Sequence, residues 1–97
     1  MAFWSDKASA NLEALHSYIA RRSPKTARKW TDALVLEAER ASLTPGAGRM
    51  VPEIGRCDVR EVFLKEYRII FRVLDDGIRV LAVVHGRRLL PHIDMDV

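Results

Sequence analysis

The chain has 97 residues, a formal net charge of +3 from 16 basic and 13 acidic side chains, and a hydrophobic fraction of 48%. This length allows one domain, which we place at residues 1–97, and the composition is that of a globular protein rather than a disordered chain. No apolar run approaches the ~20 residues of a membrane span, and the N-terminus lacks the layout of a signal peptide, so we expect a cytoplasmic protein that makes no membrane contact.

The first half of the chain predicts a short strand followed by two helices. Residues 1–4 are apolar, and Ser5 or Asp6 suits a helix N-cap because its side-chain oxygen can accept hydrogen bonds from the amides of the first turn. An apolar stripe then recurs at helical spacing at Ala8, Leu12, Leu15 and Ile19. Ser23-Pro24 starts a second helix, which Thr44-Pro45-Gly46 ends. Helices joined by so few residues form an antiparallel hairpin.

The second half predicts an irregular connection followed by a strand meander. The connection covers residues 45–56, where proline and glycine are frequent. The strands are placed at Asp58–Leu64, Tyr67–Leu74 and Ile78–His85, with Asp75-Asp76-Gly77 as a hairpin turn. The element order β-α-α-β-β-β predicts an α+β fold, in which the helical hairpin packs on an antiparallel sheet that the C-terminal meander completes.

Alternation along the strands predicts one apolar sheet face and one mixed face. The apolar face, expected under the helices, comprises Tyr67, Ile69, Phe71, Val73, Ile78, Val80, Ala82 and Val84. The mixed face combines aliphatic and basic side chains: Ile70, Leu81, Val83, Arg60, Val62, Leu64, Arg68, Arg72 and Arg79. This pattern is typical either of an ordinary solvated face or of a binding surface with apolar anchors among arginines. A three-stranded meander also leaves an open edge, to which a partner strand could add.

The meander resembles that of a known family. Val59-Arg-Glu-Val, Tyr67-Arg-Ile-Ile-Phe-Arg and His85-Gly-Arg-Arg, together with the helical hairpin and the loop through Val51-Pro52-Glu53, are similar to the ParE/RelE superfamily of bacterial toxins from type II toxin–antitoxin systems. The resemblance covers most of the chain. It implies a toxin that binds a cognate antitoxin, ParD-like or similar, in a hetero-oligomer.

The two branches of this superfamily differ in chemistry. RelE-like toxins cleave messenger RNA on the ribosome, which requires a base for the 2′-hydroxyl, an acid for the leaving oxygen and cations for the phosphate. ParE-like toxins lack that set and are associated with poisoning of DNA gyrase. Here Arg68 and Arg88 match basic positions of the superfamily, but Glu61 stands where the ribonucleases tend to carry lysine, and His92 is the one tail residue that titrates near neutrality.

The resemblance therefore favours a ParE-like gyrase inhibitor without catalytic residues, metal or cofactor. The alternative is a RelE-like ribosome-dependent endoribonuclease that uses Arg68, Arg88 and His92. The single cysteine, Cys57, excludes an internal disulfide and a cysteine-based zinc site.

The residues expected to bind the antitoxin or the target belong to the mixed face or follow the last strand. They are Arg60, Arg68, Ile70, Arg72, Arg79, Leu81, Arg87 and Arg88. Antitoxin carboxylates are expected to meet the arginines of the face, and apolar antitoxin residues to cover Ile70 and Leu81. His85 is expected to be a hydrogen-bonded structural residue, and Tyr67 to pack in the core with its hydroxyl at a polar partner.

Overall fold

Two helices pack against one face of a five-stranded sheet in the computed structural model, which describes residues 1–86. The strands are β1 (Ala2–Trp4), β2 (Arg49–Met50), β3 (Val59–Leu64), β4 (Tyr67–Leu74) and β5 (Gly77–His85), and the helices are α1 (Asp6–Ala20) and α2 (Pro24–Leu43). This order confirms the predicted α+β fold. Neither helix is long and apolar enough to cross a membrane, a statement that concerns the described residues alone. The predicted site residues Arg87, Arg88 and His92 lie outside them.

The helices begin at the two predicted serine caps. The Ser5 hydroxyl accepts a hydrogen bond from the Ala8 amide at 3.0 Å, and the Ser23 hydroxyl accepts one from the Thr26 amide at 3.2 Å. Each bond satisfies an amide that has no partner within its own helix. Ala8 is itself fully buried, so the first cap fixes a helix end that also belongs to the core.

The sheet is mixed rather than purely antiparallel. Its strand order is β1-β5-β4-β3-β2, and β1 runs parallel to β5 while the other neighbours are antiparallel. The strand β2 has only two residues and lies within the connection that the sequence predicted to be irregular. A strand this short carries no alternation from which it could be recognised.

A β-bulge in β5 changes which side chains face the helices. Ile70 of β4 opposes Ala82, whereas the next residue, Phe71, opposes Val80. Leu81 is therefore an extra residue, and the alternation of β5 reverses beyond it.

The bulge overturns the predicted faces of the last part of β5. Val83, predicted on the mixed face, packs in the core beneath the helices, while Ala82 and Val84, predicted beneath the helices, lie on the opposite face. The predicted face of Arg60, Val62 and Leu64 is also wrong, since Val62 and Leu64 pack against the helix-side core. Arg60 opposes Phe71 of the helix-side core, because Val59 and not Arg60 faces away from the helices.

The face away from the helices is covered by the connection between α2 and β3. We call its apolar residues the second-face cluster; they are Val51, Val59, Ile70, Leu81, Ala82 and Val84, with Ile54 packed against them. Ile70 and Leu81 are fully buried in this cluster. The prediction that these two residues are accessible anchors on a mixed face is therefore wrong in this structure, because residues 51–54 already occupy the face.

The parallel contact between β1 and β5 requires a glycine. Gly77 has φ +151°, and a Cβ atom there would lie 2.0 Å from the Met1 carbonyl oxygen, which accepts a hydrogen bond from the Ile78 amide. We expect Gly77→Ala to lower the free energy of unfolding by at least the ~1–3 kcal/mol of a strained backbone conformation, measured by urea denaturation.

The matched control is Gly46→Ala, because a Cβ atom at Gly46 would meet nothing within 4 Å and its φ is not positive. Equal losses for the two substitutions would contradict this account of the β1–β5 contact.

Candidate functional site

Arg68 of β4, which was predicted for the binding surface and for the ribonuclease alternative, is buried. Its side chain is 5% exposed. Its Nε and Nη2 atoms donate to Glu61 Oε1 at 2.9 and 2.5 Å, and its Nη1 and Nη2 atoms donate to Glu53 at 2.9 and 3.1 Å. The guanidinium is therefore held by two carboxylates of the same chain.

Glu61 of β3 is the other buried charge of this arrangement. Its side chain has no exposed surface, and its Oε2 atom accepts a second arginine, Arg49 of β2, whose Nε lies 2.8 Å away and whose Nη2 also donates. The four side chains Arg49, Glu61, Arg68 and Glu53 form what we call the ion-pair chain. Its charges alternate in sign and sum to zero.

The ion-pair chain changes the chemistry available to Arg68. Its hydrogen bonds to Glu53 and, secondarily, to Glu61 raise the pKa of Arg68, while the hydrogen bonds from Arg68 lower the pKa of Glu53. A guanidinium already matched by two carboxylates gains little from a further anion. The geometry assigns Arg68 to holding the sheet and the connection together, rather than to binding a phosphate.

The arginines at the opposite end of the same face are more accessible. Arg72 of β4 and Arg79 of β5 are cross-strand partners and each is half-buried. Asp58 receives two hydrogen bonds from Arg56, at 2.9 and 2.7 Å, and lies 3.4 Å from Arg72; the bonds from Arg56 lower the pKa of Asp58. We call Arg56, Arg72 and Arg79 the arginine end. Two like charges on opposed strands repel each other, and the carboxylate of Asp58 offsets part of that repulsion.

Beside the ion-pair chain, the surface is apolar and basic. Phe63 is 47% exposed, and the Arg49 guanidinium carbon lies 5.5 Å from the centre of the Phe63 ring. Arg49 lies beside Phe63 because β2 pairs with β3, a pairing that the sequence did not predict.

His85 is hydrogen-bonded, as predicted. The bulge in β5 places it on the helix side of the sheet. Its Nε2 atom is 3.2 Å from Glu66 Oε2, and its ring meets that of Tyr67 edge-on at 6.0 Å. Tyr67 packs against the helix-side core, where the centre of its ring lies 5.5 Å from that of Trp30. Burial raises the pKa of the Tyr67 phenol. Within residues 1–86, no group of three or more histidine, cysteine and acidic side chains is arranged to hold a metal ion.

Comparisons with known proteins agree on one family. The family model for the ParE toxin of the type II toxin–antitoxin system parDE matches residues 2–90. A solved structure described as the chromosomal ParDE TA system from P. aeruginosa superimposes with a TM-score of 0.69 and 27% sequence identity, covering 87% of this chain and 92% of that chain. No curated protein sequence matches this chain.

The ion-pair chain predicts a large effect for a single substitution. Arg68→Ala leaves the buried Glu61 carboxylate short of a partner, so we expect it to lower the free energy of unfolding by about 3–5 kcal/mol. Urea denaturation at neutral pH measures this, and Arg68→Lys, which keeps the charge but loses the paired geometry, should give a smaller loss.

The control for Arg68→Ala is Arg28→Ala. Arg28 lies 3.9 Å from Asp32 on an exposed helix surface, with side-chain exposures of 83% and 74%. Its removal should change stability by less than ~0.5 kcal/mol. A loss at Arg68 no greater than that at Arg28 would show that the ion-pair chain is not stabilising.

The pKa of Glu53 gives a pH dependence of defined sign. A carboxyl group whose pKa is lowered on folding contributes stability above its ordinary pKa of 4.5, and that stability is lost as the pH falls through the lowered value. We expect Glu53→Gln to be less stable than the wild type at neutral pH, and the difference to shrink on acidification below the ordinary pKa. Urea denaturation across this range measures it; a difference that grows on acidification would reverse the assigned role of Glu53.

Proposed function

The chain belongs to the ParE toxin family of type II toxin–antitoxin systems, and on that premise we propose that it inhibits DNA gyrase and is neutralised by a cognate antitoxin. The observation that supports this choice over messenger RNA cleavage is the ion-pair chain. A ribonuclease of the related branch needs accessible cations for the phosphate, and Arg68 is already bound by Glu53 and Glu61.

The remaining residues of the ribonuclease alternative, Arg88 and His92, lie outside the described part of the chain. The described histidine nearest the end of β5, His85, hydrogen-bonds to Glu66 and lies on the helix side, away from Arg68. We therefore propose that this protein acts by binding rather than by catalysis, without a metal or cofactor.

The proposed binding surface for the antitoxin is narrower than the sequence indicated. Ile70 and Leu81 are buried beneath residues 51–54, and a partner would reach them only by displacing that segment. At the arginine end, Arg72 and Arg79 remain partly accessible, and carboxylates of the antitoxin are proposed to meet them. We propose further contacts at Arg60, Arg87 and Arg88.

This surface supports the proposed hetero-oligomer with the antitoxin. The partly accessible Arg72 and Arg79 suit the carboxylates of an acidic segment, and the exposed Phe63 supplies apolar area next to Arg49. A toxin with these features is best produced together with its antitoxin.

The proposed function is tested by two assays in parallel. We expect the purified toxin to inhibit DNA supercoiling by gyrase, and the antitoxin encoded by the adjacent reading frame to restore supercoiling. In a ribosome-dependent reaction we expect no cleavage of messenger RNA, because Arg68 is already paired with Glu53 and Glu61.

Two substitutions test whether the arginine end binds the antitoxin in the supercoiling assay. Arg79→Glu places an acidic group at the arginine end and should raise the antitoxin concentration needed to restore supercoiling, whereas Arg28→Glu on the exposed helix surface should not. Specific cleavage of messenger RNA without inhibition of gyrase would overturn the proposal in favour of the endoribonuclease.

A further inference from the structure

Helix α2 directs one leucine straight away from the core. Leu34 and Ala38, which lie two positions before and after Leu36, are fully buried. Two positions turn a helix by about 200°, so Leu36 lies on the side opposite to the sheet, where it is 61% exposed. The outer face of α2 is therefore centred on Leu36.

This outer face carries apolar surface that the fold of the chain does not use. Leu43 is 78% exposed, and it shares the face because it lies about two helical turns after Leu36. Val35, the neighbour of Leu36, is 40% exposed. Exposed aliphatic side chains that group on one helix are typical of an interaction surface.

Opposite charges lie at equal distances from Leu36 along the helix. Asp32 lies four positions before it and Arg40 four positions after it, so the three side chains form one row. The side chains of Asp32 and Arg40 are 74% and 71% exposed. The opposite charges that they approach within α2, Arg28 and Glu37, lie 3.9 and 3.7 Å away, which is beyond hydrogen-bond distance. Both side chains can therefore pair with another molecule.

The row from Asp32 to Arg40 is complementary to itself. In a two-fold symmetric contact, if residue i of one copy meets residue j of the other, then j also meets i. A two-fold axis beside Leu36 therefore brings Asp32 of each copy to Arg40 of the other, and Leu36 to its own equivalent. The commonest class of helix packing, with axes that cross at about −50°, aligns rows of residues spaced four apart.

The neighbouring acidic residue does not interfere with this pairing. Glu39 precedes Arg40 in α2, but its Oε1 atom accepts a hydrogen bond from the Ala2 amide of β1 at 3.0 Å. The Glu39 carboxylate is thus directed to its own chain and does not oppose Asp32 of a second copy.

We propose that two copies of this toxin associate through their α2 helices, with Leu36 at the two-fold axis and an Asp32–Arg40 ion pair on either side of it. The partner is a second copy because opposite charges at equal distances from Leu36 satisfy two-fold symmetry, which an unrelated partner would not require. The contact uses neither the arginine end nor the ion-pair chain, so it does not rest on the proposed inhibition of gyrase.

The dimer is expected to be weak. One helix of each copy takes part, so the contact is small beside the ~1,200–2,000 Å² of a stable interface. Ion pairs between exposed side chains are also screened by salt. Dimerisation should therefore rise with protein concentration and fall when salt is added.

Analytical ultracentrifugation of the purified full-length toxin, at concentrations up to about 1 mM, measures the association. We expect a monomer–dimer equilibrium for the wild type. Asp32→Arg and Arg40→Asp each place like charges at both pairs, so either substitution should weaken dimerisation by about tenfold or more. Glu13→Arg, a charge reversal at an exposed position of α1, is the control and should leave dimerisation unchanged. Thermal unfolding checks that every variant is folded.

Restoring the pairs tests the two-fold arrangement itself. In an equimolar mixture of Asp32→Arg with Arg40→Asp, a mixed dimer contains two pairs of opposite charge and should form about as readily as the wild-type dimer. The double variant Asp32→Arg/Arg40→Asp exchanges the two charges without changing the net charge, and it should dimerise as well.

Three results would overturn the proposal: a wild-type toxin that stays monomeric, single variants that dimerise like the wild type, or a double variant that does not recover. If the single substitutions weaken binding of the antitoxin while the wild-type toxin is monomeric, the outer face belongs to the antitoxin and not to a second copy. Each of these outcomes leaves the proposed inhibition of gyrase standing.

Discussion

The buried carboxylate of Glu61 is the constraint around which the face away from the helices is arranged. A charge without exposed surface is stable in a fold only when it is paired and hydrogen-bonded, and Glu61 has both Arg49 and Arg68 as partners. Arg68 in turn is buried and draws in Glu53 from the connection. One buried charge thus joins β2, β3, β4 and a loop that has little regular structure of its own.

Because of this constraint, a charged residue in the middle of the sheet stabilises the fold and is not available to bind a partner. A basic side chain in the middle of a β-strand looks available for an anion when only the sequence is known. In the folded chain, Arg68 is the cation that keeps Glu61 buried, and residues 51–54 cover the apolar side chains next to it. The side chains that remain accessible on this face lie at its periphery: at the arginine end and at Phe63 beside Arg49.

Short sequence patterns predicted the helices, strands and turns well. They did not predict which distant residues pair. The serine caps and the turn at Gly77 each depend on a few adjacent residues, so the sequence was sufficient to locate them. The bulge at Leu81 has no such signal, and one extra residue was enough to exchange the predicted faces of Ala82, Val83 and Val84. The Glu61–Arg68 pair escaped the sequence, because the predicted faces placed Arg60 rather than Glu61 on the face of Arg68, and the contribution of Glu53 depends on how the connection folds.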